Sequence, residues 1–404
     1  MTAPTEVQAE RLQHRVCDSC GEDRLVPFAD LGEIPVLCGV HWEAHGDAVA
    51  SPVGRMLLAA CPRCAYVRNI AFEADKLVYD TTMDTNLHFS PAFQKFSAEL
   101  VRSLNERYDL SGKLVLDIGC GQGEFLRELT HASGARGVGY DAMYAGEEGE
   151  QGDATFHCGF APRGGGLPKY DFFTSRHWFE HIDDPYEFLV DLREQAKGRE
   201  VFGYVEVPDA VYDLATAGWE VIYPHVSYFD AYSLASIFGR AGWTVESTGT
   251  LFSGMFRYIE VSANRPRAGG HVAHTGELPS LRARDKQLAA IAGFAERHHA
   301  ERQKWRDTIA RLDAEGARPV LWGAGSRGVQ FLTLADRELA LAGVVDLNPR
   351  KWGRFLPVTG HRVDPPSTLT SLQPKAVVIT NPAYREEIAK SLADLGVTAE
   401  ILVA

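Results

Sequence analysis

Three groups of residues in this chain have the types and spacing that chemistry requires. Cys17 and Cys20, and again Cys61 and Cys64, stand as two C-x-x-C pairs (CDSC and CPRC). The run LVLDIGCGQGEF, residues 114–125, places Asp117, Gly119, Gly121 and Gly123 directly after three apolar residues. Farther on, Glu180 and His181 lie in SRHWFEHIDDPYEFL (175–189), and His225 lies in YPHVSYF (223–229). Thiolate pairs on tight turns are metal chemistry. Glycines after an apolar strand let a ligand approach the backbone, because any Cβ would hold it away. A His on a loop dense in aromatic and titratable groups is a candidate for proton transfer.

The cysteine pairs read as one tetrahedral S4 zinc site, with a redox pair as the alternative. Four bound thiolates leave no open position, so such a zinc is structural and stabilises a region with a small core. Forty residues separate the pairs, and a larger inserted loop is expected between the knuckles. That segment carries Glu22, Asp23, Asp30, Glu33, Glu43 and Asp47 and no basic–aromatic interleaving. A lid over a substrate fits it better than a nucleic-acid reader, with Tyr79 and His88 able to reach the substrate from that side. Cys38 is expected to be a core residue.

The glycine run reads as the turn between a buried parallel strand and a helix. Asp141 closes a second apolar strand 24 residues after Asp117, where an acidic side chain can accept both hydroxyls of a ribose. The pattern D-x-G-x-G-x-G resembles the S-adenosylmethionine signature of class I methyltransferases. That resemblance implies that Gly119 to Gly123 face the methionine part of the cofactor and that Asp141 holds its ribose. It also implies that Gly152-Asp153 and Gly159-Phe160 lie where the family packs the adenine.

Around these residues the elements fall into three parts, expected at 1–85, 86–263 and 264–404. Ser90-Pro91 starts a helix that reaches Tyr108. Strands follow at 171–174 and 199–207, each ending at an edge where open α/β sheets bind ligands. The strand 199–207 leads through the His225 loop to an amphipathic helix closed by Gly242. Two strands, 244–248 and 256–262, complete an antiparallel edge. Residues 264–279 read as a Gly/Pro/His-rich linker, and a helical stretch covers 281–312. A second glycine turn, Gly323 to Gly328, then begins a small Rossmann-like unit. Its helix N-terminus suits an anionic group, with Ser326 and Arg327 as added donors.

The order of these parts resembles the three-domain C-methyltransferases that act on nucleotide-linked deoxysugars. The fold implied is α/β: a class I methyltransferase core between a zinc-binding module and a smaller Rossmann-like domain. The activity implied is methyl transfer from S-adenosylmethionine to a carbon beside a ketone, which needs a base and donors for an enolate. His225 is the candidate base, with Glu180 and His181 as orienting or alternative groups. The family's loop reads Tyr-His-Glu-His, whereas Ile222, Tyr223, Pro224 and His225 stand here. Tyr223 and Glu220 are the substitutes at hand for the missing Glu. Methyl transfer to oxygen, nitrogen or carbon of another metabolite is the second reading, and a zinc-dependent binding protein without activity is the third.

The 404 residues are 45% apolar and 24% charged, ordinary for a globular protein of two or three domains. A net charge of −13 argues against nucleic acid as the partner and favours a small-molecule substrate. No run approaches the ~20 apolar residues of a membrane span. The first residues lack a secretion-signal profile, so a cytoplasmic location is expected.

Overall fold

The computed structural model describes residues 15–84, 86–263, 279–335 and 340–404. Except for its last residue, the expected linker lies outside these, as does the N-terminal stretch read for a targeting signal. Three sheets organise the described residues. No helix among them is long and apolar enough to cross a membrane.

The central sheet has eight strands. Five are parallel, in the spatial order 202–208, 172–176, 114–118, 136–141 and 154–158. Antiparallel strands Phe256–Ser262 and Thr244–Leu251 extend one edge, and Gly149–Gln151 extends the other. Leu114–Ile118, buried at four of its five residues, lies at the centre of the doubly wound order. Ligands bind such a sheet where the chain reverses direction, outside the carboxyl end of this strand. The helix Pro91–Tyr108 begins as expected: Pro91 occupies its first turn, and the Ser90 hydroxyl accepts the Phe93 N–H.

The smaller C-terminal sheet has five parallel strands, ordered 363–364, 343–345, 320–322, 376–379 and 400–403. Two helices, Leu281–Ala292 and Phe294–Ala314, precede it where one was expected, and Gly293 marks the break. The turn at Gly323 is packed tightly: a Cβ on Gly328 would stand 2.1 Å from the Gly323 carbonyl oxygen.

The segment between the cysteine pairs departs most from expectation. It forms an antiparallel ribbon, Val26–Pro35 with Val53–Ala60, rather than a loop. Val67–Asn69 pairs with its second strand. The fourth strand of this sheet, Ser227–Tyr228, comes from far along the chain, two residues after His225. The ribbon was not anticipated because Gly32, Pro35 and two register shifts interrupt its alternation.

Gly328→Ala is expected to lower unfolding free energy by about 2 kcal/mol, since the added methyl meets backbone rather than a movable side chain. Thermal or urea denaturation of the purified variant measures this.

Candidate active site and metal centre

The four cysteines converge. Cys17 and Cys64 sulfurs lie 3.6 Å apart, as do those of Cys20 and Cys61. All four lie within 4.8 Å of one another. A tetrahedron with Zn–S bonds of about 2.3 Å has sulfur–sulfur edges of about 3.8 Å, so these two edges are close to those such an ion requires. Two matching turns make the convergence. Gly21 N–H donates to the Cys17 carbonyl and Ala65 N–H to that of Cys61, each at 2.9 Å. Gly21 and Ala65 both adopt left-handed φ, 75° and 62°. Cys38 stays apart, buried, with its thiol pushed up to about 12 by burial.

One cavity of about 930 Å³ is lined by residues from all three parts of the chain. The N-terminal part contributes Cys38, His41, Tyr79 and His88; the central sheet contributes Asp117, Gly119, Gly121, Asp141 and Trp178. The C-terminal part contributes Gly323, Ser326, Arg327 and Asp346.

On the central side, Gly119, Gly121 and Gly123 all have left-handed φ (78°, 57° and 82°). Gly121 has open space where a side chain would sit, whereas a Cβ at Gly119 would strike the Trp178 ring at 2.3 Å. Asp141 accepts the N–H of Gly121 at 2.8 Å and that of Met143 at 2.7 Å. Its carboxylate thus locks the turn and lies beside the space a nucleoside would fill. Asp117 is buried and accepts the Thr174 hydroxyl at 2.6 Å; burial pushes its carboxyl up to about 6, with Thr174 opposing. Gly123 and Gly159 do not border the cavity, and neither do Gly152 and Asp153, while Phe160 does, 64% exposed at its rim.

Glu180, His181 and His225 form a second cluster on the same cavity. Glu180 Oε1 stands 3.9 Å from Nε2 of each imidazole, and the two rings cross at 78° with centroids 4.9 Å apart. Tyr79 Oη meets His181 Nδ1 at 2.9 Å. Burial pushes the Glu180 carboxyl up to about 8 and the His181 imidazole down to about 4. Burial, with His181 and His177 nearby, also holds His225 well below its ordinary value. Both rings are therefore neutral near pH 7, each with one lone-pair nitrogen.

Tyr223 does not join them. Its ring packs on Gly54 and Phe72, and its hydroxyl accepts the Glu73 N–H at 2.9 Å, outside the cavity lining. A buried ring held by a backbone donor has no path to the acceptor, which corrects its expected catalytic place. Glu220 does reach the cavity, paired with Arg327 at 2.9 Å. Arg327 is thus already engaged, and it is not the free donor expected at the C-terminal turn.

His177 is a cavity residue that the sequence did not flag. It has φ 52°, and its Nε2 lies 2.9 Å from Glu206. Burial alone would raise the Glu206 carboxyl, but Arg176 and donors from His177 and Tyr204 hold it at about 2. Only the facing charges, Arg176 and Glu206 on adjacent strands, could have signalled this group.

Residues 92–248 match the model of a methyltransferase domain, and residues 279–402 match that of a C-methyltransferase C-terminal domain. The protein is an S-adenosylmethionine-dependent methyltransferase. No curated protein matches the chain closely enough to compare. Among solved structures, this methyltransferase is similar to an S-adenosylmethionine-dependent methyltransferase from Mesorhizobium loti. Identity is 16%, with 41% of this chain and 96% of that one covered, at a TM-score of 0.33. It is similar also to magnesium protoporphyrin IX methyltransferase from Synechocystis, at 18% identity, 44% and 88% coverage, and a TM-score of 0.33. Likeness at that level says nothing of a substrate.

Asp141→Ala should weaken S-adenosylhomocysteine binding by at least tenfold in calorimetric titration, because the carboxylate that ties the Gly121 N–H of the glycine turn to the Met143 N–H beyond the next strand is lost. If the four cysteines hold zinc, a strong chelator should lower the melting temperature of the protein by several degrees, restored on adding zinc.

Proposed function

We propose that this methyltransferase alkylates a carbon beside a ketone, on a sugar carried by a nucleoside diphosphate. One observation supports the reading above the others: the glycine turn with Asp141 and the Glu180–His181–His225 cluster border the same cavity. S-adenosylmethionine supplies, when bound, a methyl group on an electrophilic sulfonium. The backbone of Gly119 and Gly121 and the carboxylate of Asp141 would hold it, with Asp117 beneath, Phe160 at the rim and Gly123 shaping the turn from outside the cavity.

His225 is the base in this reading. It is neutral, lies on the cavity, and would take the proton from the carbon next to the carbonyl. Glu180, largely protonated at neutral pH, can donate a hydrogen bond to the enolate oxygen, which a carboxylate could not. His181 orients this pair, itself tied to Tyr79. The carbon must then lie in line with the methyl group at about 3 Å. The N-terminus of helix Ser326–Ala335, after the C-terminal glycine turn, would take the diphosphate through its free N–H groups. The cysteine set would hold a structural zinc. The three parts, 1–85, 86–263 and 264–404, would serve as zinc module, donor domain and acceptor-binding domain of a cytoplasmic enzyme.

The loop lacks the Glu of the family it resembles, which favours one second reading: methyl transfer to oxygen, nitrogen or carbon of another small metabolite. Calorimetry with thymidine diphosphate separates the two. The sugar-nucleotide reading expects saturable binding at micromolar to millimolar concentration, and no heat at millimolar concentration sinks it. His225→Asn should abolish turnover of a keto-sugar nucleotide while changing S-adenosylhomocysteine affinity less than about threefold. Near-normal turnover in that variant removes His225 as base.

A further inference from the structure

The spacing within the Glu180–His181–His225 cluster suits a second chemistry. At 3.9 Å, neither imidazole nitrogen is hydrogen-bonded to Glu180 Oε1. Yet one donor atom from each residue lies within 4.8 Å of the other two. Ligand atoms bound at about 2.0–2.2 Å to one ion stand roughly 3.0–3.5 Å from their neighbours, so a closure of roughly half an ångström to a little over one would complete three positions. Glu180 is 1% exposed, and neither of its carboxylate oxygens has a hydrogen-bond partner. A buried carboxylate without donors is costly unless it is protonated or meets a cation. His181 also has the outer support that metal-bound imidazoles carry, since its Nδ1 is tied to Tyr79 Oη while Nε2 faces Glu180.

We propose that Glu180, His181 and His225 bind one divalent transition-metal ion, of the zinc and cobalt class, at a site separate from the four cysteines and open to the acceptor cavity. Two imidazoles and one carboxylate suit these ions better than magnesium or calcium, which prefer all-oxygen shells. The site stands on its geometry; its consequence for catalysis rests on the reading of His225 as base. A neutral imidazole has one lone-pair nitrogen, and a nitrogen that ligates an ion cannot also accept a proton. The ion-bound and base-competent states therefore exclude one another, and the second ion is a reversible inhibitor.

The test uses the full chain with zinc already bound at the cysteines, titrated with Co2+ alone and followed by visible absorption. One further equivalent is expected, giving weak ligand-field bands without the sulfur-to-metal charge transfer of a cysteine site. Glu180→Gln and His181→Asn should each weaken it at least tenfold; the second variant keeps the test open if the first fails to fold. Turnover of a keto-sugar nucleotide should fall at least tenfold as this equivalent binds, and a mild chelator should restore it. A titration that takes up no further ion, or a further equivalent that both variants retain, overturns the site. Turnover that rises with the second equivalent overturns the inhibition and the base role of His225 together. A protein that binds the ion as expected but never methylates the sugar nucleotide fails the acceptor reading and leaves the metal site standing.

Discussion

The residues on either side of one short strand hold the active-site loop in place. Val226 donates its N–H to the Glu180 carbonyl at 2.9 Å and accepts the Asn69 N–H at 3.0 Å. Ser227 and Tyr228 then pair with Arg68 and Val67, and the Ser227 hydroxyl meets Tyr66 Oη at 2.6 Å. His225 is therefore clamped between the central sheet and the cysteine knuckle, which is only three residues from Val67. The four-cysteine cluster is distant from His225 in sequence, yet it lies one strand away in space. An ion held there would brace the strand against which His225 is set.

This constraint explains why the cavity needs all three parts of the chain. The central sheet supplies one side through its glycine turn. The segment that follows the N-terminal sheet forms the far wall and sends Tyr79 to His181. The C-terminal sheet closes the remaining side, with Arg327 reaching Glu220 and Gln330 reaching the Val221 carbonyl on the segment leading into His225. Burial from three directions keeps water away from the cluster, which is the physical cause of the raised Glu180 and the lowered histidines.

Much of the glycine-turn side of the cavity was legible in the sequence. Asp117, the glycines and Asp141 fall at fixed offsets from strand ends, because a backbone turn that approaches a ligand admits few residues. The cysteine pairs were legible for the same reason, since thiolates on tight turns have a short-range signature. The acceptor side was not. Tyr223 and His225 stand two residues apart and look equivalent in sequence, but a strand pairing with residues 67–68 turns one to the cavity and the other to the core. His177 and the Glu220–Arg327 pair depend likewise on contacts between distant segments, which local pattern does not carry. The ribbon 26–60 was missed because bulges break the alternation that marks a strand.

In the proposed function, the glycine turn seats a methyl donor whose reacting end faces the clamped His225 cluster. A crystal structure of the zinc-loaded protein with S-adenosylhomocysteine tests it most directly. The prediction is ribose hydroxyls on Asp141, the sulfur turned toward Glu180 and His225, and Ser227–Tyr228 still paired with Val67–Arg68. A product seated elsewhere, or a sulfur directed away from that cluster, would contradict the account.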